Sequence, residues 1–114
     1  GNVPPLPPVA EPCALPTSLP VSAALRNAFE AARKAAADLN AANQALYAAQ
    51  LAVTSAHTGI TPEAGVHLAL ATRRAVVLKE TQRQRWVELI YLYQQQLVSQ
   101  ATALLNRGLA GLDG

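Results

Sequence analysis

The sequence predicts an all-α protein, a long antiparallel two-helix hairpin with coiled-coil character that follows an extended proline-rich arm. Three observations lead to this fold class. Seven of the eight prolines lie before residue 21, where they exclude a helix. Apolar residues recur from residue 25 onward with the alternating three- and four-residue spacing of a coiled coil. A helix stop is followed at once by a helix start near residue 60, which predicts a short turn.

Residues 1–20 are the predicted arm. The closely spaced prolines favour an extended polyproline conformation, and apolar side chains are placed between them. A stiff segment of this kind loses little entropy when it binds, so we expect Leu6, Val9 and Leu15 to enter grooves on a neighbouring surface. A disordered tail is the alternative interpretation of the same composition.

The first helix is predicted over about residues 18–58, with Thr17 or Ser18 as its N-cap. Pro20 then falls in the first turn, where proline is tolerated. Two seven-residue series, offset by three positions, define one face of this helix: Leu25, Ala32, Leu39, Leu46 and Val53, together with Ala28, Ala35, Ala42, Ala49 and Ala56. We call this face the seam. We expect it to pack closely on the second helix, because alanine lets two backbones approach each other.

The turn is predicted at residues 59–61, and the second helix over about residues 62–107. Gly59 suits the left-handed conformation that commonly follows the end of a helix. The next residues provide an N-cap, a first-turn proline and a negative charge at the positive end of the helix dipole: Thr61, Pro62 and Glu63. With so short a connection, the two helices are expected to lie antiparallel as neighbours.

The end of the second helix is predicted at Gly108. This glycine is followed by Leu109, which repeats the stop pattern of Gly59 and the residue after it. The sequence therefore predicts three parts in order: an arm at 1–20, a hairpin at 21–108 and a short tail at 109–114.

The segment from residue 86 to residue 93 is apolar around almost the whole circumference of the helix. One antiparallel neighbour covers only one side, so a second contact surface is predicted. Tyrosine and tryptophan are also favoured anchors in protein interfaces. The residues predicted to bind a partner here are Trp86, Ile90, Tyr91, Tyr93 and Leu97.

Five basic residues on the second helix are the sequence's best argument for nucleic acid: Arg73, Arg74, Lys79, Arg83 and Arg85. At about 100° per residue they do not share one face, and Glu80 lies among them without aromatic residues for base stacking. The net charge of +2 and the pI of 9.0 are also too small to indicate a nucleic-acid partner by themselves. We therefore expect this cluster to be a solvated face or a protein contact.

No combination of residues predicts an enzyme, a cofactor or a metal ion. Glu63 and His67 lie one helical turn apart near His57, but two ligands on one helix face do not make a metal site. The sequence contains no nucleophile elbow, HExxH motif, paired cysteines or glycine-rich phosphate loop. The single Cys13 excludes an internal disulfide. No apolar run reaches the ~18 residues that a membrane-spanning helix needs.

These features predict a non-catalytic structural or accessory subunit of a larger protein assembly. Alternatives in the same class are a self-associating coiled coil of an envelope or secretion system and a virion component. A small helical nucleic-acid-binding module is the alternative from a different class. The compartment stays open, although the proline-rich start favours an exported or envelope-associated chain. Gly1 fits a removed initiator methionine, a cleaved signal peptide and a cloning remnant alike.

Overall fold

The computed structural model describes residues 4–9, 21–55 and 59–113. Within these ranges the chain forms two α-helices and no strand, α1 over Ala23–Thr54 and α2 over Pro62–Asp113. The helices lie antiparallel, and the backbone N–H of Ser22 donates to Gln96 Oε1 at 3.2 Å across the open end of the hairpin. The molecule is a rod of 84 × 20 × 17 Å. The predicted all-α hairpin is confirmed.

The first helix begins later than the sequence predicts. Its N-cap is Ser22, whose Oγ accepts a hydrogen bond from the backbone N–H of Leu25 at 3.1 Å. The predicted start at about residue 18 is therefore wrong, and the two hydroxyl residues expected as caps lie outside the described residues. Several serines and threonines precede this helix, and any of them has the chemistry of a cap. The one used stands three residues before Leu25, which is the first fully buried side chain of α1.

The first helix also ends earlier than predicted, at Thr54 rather than near residue 58. The hydroxyl of Thr54 donates to the carbonyl of Gln50 at 3.0 Å, and the backbone N–H of Ser55 bonds to the carbonyl of Leu51 at 2.9 Å. The last turn of α1 thus has hydroxyl groups bonded to its carbonyl groups, as is common at helix ends. Residues 56–58, which include His57 and the predicted seam residue Ala56, lie outside the described residues.

The seam of α1 is confirmed. Its buried members are Leu25, Ala28, Ala32, Ala35, Leu39, Ala42 and Ala49. Leu46 and Val53 are half-buried. Phe29 and Ala36 are buried beside the seam, because a helix of 3.6 residues per turn drifts relative to a seven-residue repeat. Most of the buried seam residues are thus alanines, and a cluster of larger side chains forms at the open end, where Phe29 packs with Leu89.

The start of α2 forms as predicted. Thr61 Oγ1 accepts a hydrogen bond from the backbone N–H of Ala64 at 3.1 Å, Pro62 is the first helical residue, and Glu63 lies in the first turn. Gly59 has a φ of 98°, a conformation that is strained for any residue with a side chain. The backbone of the turn is therefore determined by Gly59 and by the N-cap Thr61 two residues later.

The end of α2 differs from the prediction. The helix continues through Gly108 to Asp113, so the predicted stop near Arg107 and the predicted tail at 109–114 are wrong for the described residues. Gly108 does not adopt a positive φ. A single glycine costs a helix only about 1 kcal/mol relative to alanine, and the leucines and alanine that follow are good helix formers. The stop pattern alone does not end a helix here.

Candidate protein-interaction surface

The aromatic segment of α2 is divided between the inside and the outside of the hairpin. Leu89 is buried against Leu25 and Phe29, and Trp86 and Tyr93 pack around that cluster while remaining partly exposed. These two aromatic residues were predicted to bind a partner. In the structure they pack mainly in the contact between α1 and α2. Their outer edges lie at the border of the surface that the hairpin leaves open.

The other predicted partner-binding residues of α2 face solvent. Ile90 is 43% exposed, Tyr91 58% and Leu97 42%. The hydroxyl of Tyr91 accepts a hydrogen bond from Gln95 Nε2 at 2.8 Å, so its ring lies along the helix surface. These three side chains thus remain partly open to solvent in the hairpin.

A longer exposed apolar line runs along α2 on the side opposite its buried residues. Its members are separated by four, seven or ten residues, so they occupy positions of a coiled-coil repeat without filling all of them, and each is between 54% and 66% exposed. We call this line the outer stripe. It consists of Val66, Leu70, Val77, Val87, Tyr91, Val98 and Leu105. Leu89 and Ala75, which are buried against α1, lie on the opposite face of the same helix. α2 is therefore apolar on two faces, and α1 covers one of them.

Polar residues occupy the middle of the outer stripe. Arg73, Glu80, Gln84 and Gln94 fall at stripe positions between the apolar ones. Glu80 pairs with Arg83 at 2.6 Å, and Arg85 lies 3.7 Å from Glu88. Two of the five clustered basic residues are thus paired with acidic residues of the same helix. Exposed pairs of this kind contribute little to stability but remove positive charge from the surface.

The ion pair with Arg83 shifts the pKa of Glu80. A hydrogen bond from Arg83 lowers the pKa of the Glu80 carboxyl, and the positive charge of Arg83 and a hydrogen bond from Gln84 act in the same direction. Because the pKa is lower in the folded chain than in the unfolded one, the pair stabilises the helix above the ordinary glutamate pKa. That contribution is lost as the pH falls through the lowered pKa. Near neutral pH the pair is therefore intact.

The last part of α2 extends beyond α1. α1 begins level with Gln96, so residues 97–113 have no antiparallel neighbour among the described residues. We call these 17 residues, about 25 Å of helix, the overhang. Every side chain described from residue 101 to residue 111 is exposed.

The overhang has one polar and one apolar face. The polar side continues the face that packs on α1 lower in the helix, and it carries Ser99, Gln100, Asn106 and Arg107. The apolar side continues the outer stripe and is widened by its neighbours. It carries Leu97, Val98, Ala101, Leu104, Leu105 and Leu109. The side of α2 that binds α1 therefore becomes mostly polar where α1 ends, with Leu104 at its edge in the direction of Trp86, while the outer side stays apolar.

Residues 4–9 of the predicted arm lie on α1 of the same chain. The side chain of Asn40 bonds to both backbone groups of Val9, accepting from its N–H at 2.6 Å and donating to its carbonyl at 3.3 Å. Pro5 and Tyr47 line the concavity between this segment and the helix. Leu6 stays 56% exposed, and Leu15 lies outside the described residues. The described part of the arm thus contacts α1 of the same chain.

We expect Asn40→Ala to release Val9 from α1 without unfolding the hairpin. A net hydrogen bond stabilises by about 1 kcal/mol, so the amide of Val9 should exchange with solvent roughly five- to tenfold faster in the variant. Hydrogen exchange of that amide measures the effect. Asn43→Ala is the matched control, because Asn43 lines the same concavity and forms no hydrogen bond with Val9. Equal exchange in the two variants would show that Asn40 does not hold the segment.

The described residues contain no group of three or more side chains that could hold a metal ion. Glu63 and His67 lie in an exposed depression with Val66 and Leu70, at the start of the outer stripe. A second shallow depression is lined by Tyr91, Gln94 and Val98. Both depressions are therefore parts of the same apolar surface. Across the described part of the chain, neither helix has an apolar stretch long enough to cross a bilayer.

The chain matches no model of a protein family, no curated protein and no solved structure.

Two features of this surface were not recognised from the sequence. The outer stripe repeats every seven residues from Leu70 through Val77 to Tyr91, Val98 and Leu105, and this repeat is visible in the sequence. The repeat does not stand out in the sequence, because the inner face of α2 is apolar as well. The contact between Asn40 and Val9 has no sequence signal, because 31 residues separate its partners.

Proposed function

We propose that this chain is a non-catalytic structural subunit that joins an assembly through the exposed face of α2. The observation that carries the proposal is the outer stripe, a coiled-coil-spaced apolar line opposite the face that α1 covers. Soluble chains rarely leave contiguous apolar surface open unless it binds something. A line of this spacing fits another helix better than a small ligand, because knobs at seven-residue intervals need matching holes.

The exposed surface also favours protein over nucleic acid as the partner. Arg83 pairs with Glu80 and Arg85 lies beside Glu88, so two of the five clustered basic residues of α2 have an acidic neighbour on the same helix. Nucleic acid binding depends on unpaired basic groups that contact phosphates along one track. Tyr91 lies instead between valines of the outer stripe, where helix packing uses aromatic side chains well.

Charging the outer stripe tests the proposal. In the variant Val77→Glu/Val87→Glu/Val98→Glu/Leu105→Glu, four exposed apolar residues become good helix formers, so the hairpin should keep its helicity while association is lost. Sedimentation velocity measures association, and far-ultraviolet circular dichroism confirms the fold.

The matched control is Thr72→Glu/Lys79→Gln/Ser99→Glu/Arg107→Gln. It makes the same change in net charge at exposed positions beside the stripe. We expect this control to associate as the unaltered chain does. Association that survives the stripe variant, or is lost equally in both variants, would refute the proposal.

A further inference from the structure

We propose that two copies of this chain pair end to end through their overhangs, antiparallel, with the apolar face of one overhang packed on that of the other. The inference rests on the proposed function and names the partner for one part of the same surface. It begins with the stability of the overhang itself. Most helical stability in proteins comes from packing of an apolar face, and the overhang has no such packing on α1. Here Leu104, Leu105 and Leu109 each have half or more of their surface exposed.

The overhang does not fit a helix placed in line with α1. Such a helix would meet the polar side, where Gln100, Asn106 and Arg107 lie. Their side chains would lose water without gaining apolar contact. The apolar face points the other way, along the outer stripe, where α1 offers no steric obstacle. The occupant therefore approaches from the side opposite α1.

The chain's own arm cannot reach most of the overhang. Val9 is held at Asn40, which lies about 27 Å along α1 from Ser22. Twelve residue steps join Val9 to Val21 and span at most about 41 Å when fully extended. The segment between Val9 and Val21 must run from Asn40 to the start of α1 and, if it goes further, must also come back. It can therefore extend past the start of α1 by only about 7 Å. The overhang is about 25 Å long, so most of it needs another cover.

A second copy meets no electrostatic obstacle on this face. The charged residues of the overhang are Arg107, on the polar side, and Asp113 at the end of the helix. The apolar face carries no charge that would repel an identical face or select a charged partner. The middle of the outer stripe differs, because Arg73 and Glu80 would each meet a like charge in a parallel pair. The overhang is thus the part of α2 best suited to self-association.

The spacing of large and small residues sets the register. When two overhangs cross antiparallel about Ala103, Leu105 lies opposite Ala101 of the second copy, and Val98 lies opposite its Gly108. Around the centre of the contact large side chains then meet small ones, as close packing requires, and Leu97 meets Leu109 at its two ends. Among the described residues nothing lies within 4 Å of a side-chain carbon added at Gly108, so this space is open to a partner. A parallel pair would oppose large with large and leave gaps at the glycines.

Distances between spin labels on the two copies test this arrangement. In a Cys13→Ser background, one cysteine at a time is introduced by Ser99→Cys, Ala103→Cys or Arg107→Cys, all on the side away from the proposed contact. A chain with one label reports only distances between copies. We expect the shortest distance at position 103. The labels at 99 and 107 should give longer distances that equal each other, with an axial offset of about 12 Å.

Three equally short distances would indicate a parallel pair and overturn the inference. Association without a short distance at any of the three positions would also overturn it, and would leave the proposed function standing on the rest of the outer stripe. Gly108→Leu provides a second test. This change favours helix and adds apolar surface, yet in the proposed register it fills the space of Val98 of the second copy. We expect pairing at least tenfold weaker, and pairing that is unchanged or tighter would contradict the register.

Discussion

Leu39→Asp should unfold most of the hairpin. Leu39 is 4% exposed at the centre of the seam, between alanines that leave no room for water around a carboxylate. Removing a buried leucine costs about 2–5 kcal/mol, and burying an unpaired charge adds to that cost. Domains are stable by only about 5–15 kcal/mol, and the alanine-rich contact between α1 and α2 places this hairpin toward the lower end. Circular dichroism should show loss of most helical signal.

The control for this prediction is Ala45→Asp on the exposed side of α1. It introduces the same residue into the same helix, so it carries the same loss of helix propensity, about 0.7 kcal/mol or less. Gln44 is less suitable as a control, because it lines the concavity beside residues 4–9. If Leu39→Asp and Ala45→Asp lose helix to the same extent, the seam does not hold the hairpin together.

Val98→Glu/Leu105→Glu should weaken self-association at least a hundredfold while leaving the hairpin folded. In the antiparallel pair each substitution occurs twice, so four carboxylates would enter a contact with no compensating positive charge. A loss of about 3 kcal/mol or more corresponds to that hundredfold change. Sedimentation velocity over a concentration series measures the shift.

Two comparisons make this second prediction specific. Ser99→Glu/Arg107→Gln changes the net charge equally on the polar side of the overhang and should have little effect. Val77→Glu/Val87→Glu charges the outer stripe outside the overhang and should leave the pair intact. If this variant dissociates the copies and the overhang variant does not, the contact lies along the body of the hairpin instead.

The seam could be predicted because only one face of α1 is apolar. Leucine and alanine repeat there at fixed intervals, and the opposite face carries polar residues and alanine but no large apolar side chain, so Leu25 had no alternative place. The turn could be predicted because Gly59 and Thr61 act locally, through their own backbone and side chain. The turn depends only on neighbouring residues, and the seam depends on one face of one helix. The rest of the fold therefore has little influence on either.

The arrangement of α2 could not be predicted in the same way. Its two apolar faces compete for α1, and the choice between Val77 and Ala75 depends on the register that the turn imposes. The helix ends depend on which of several hydroxyls caps and on whether a glycine terminates, as Ser22 and Gly108 show. The candidate site follows from this choice, because the face left uncovered is the face available to a partner.

The mass of the unaltered chain in solution tests the central claim most directly. Sedimentation equilibrium from micromolar to millimolar concentration should show a helical species that passes from 12.0 kDa to at least twice that mass, because the outer stripe is left open by the hairpin. A single monomeric species of 12.0 kDa across the whole range would contradict the claim that the exposed face of α2 serves assembly.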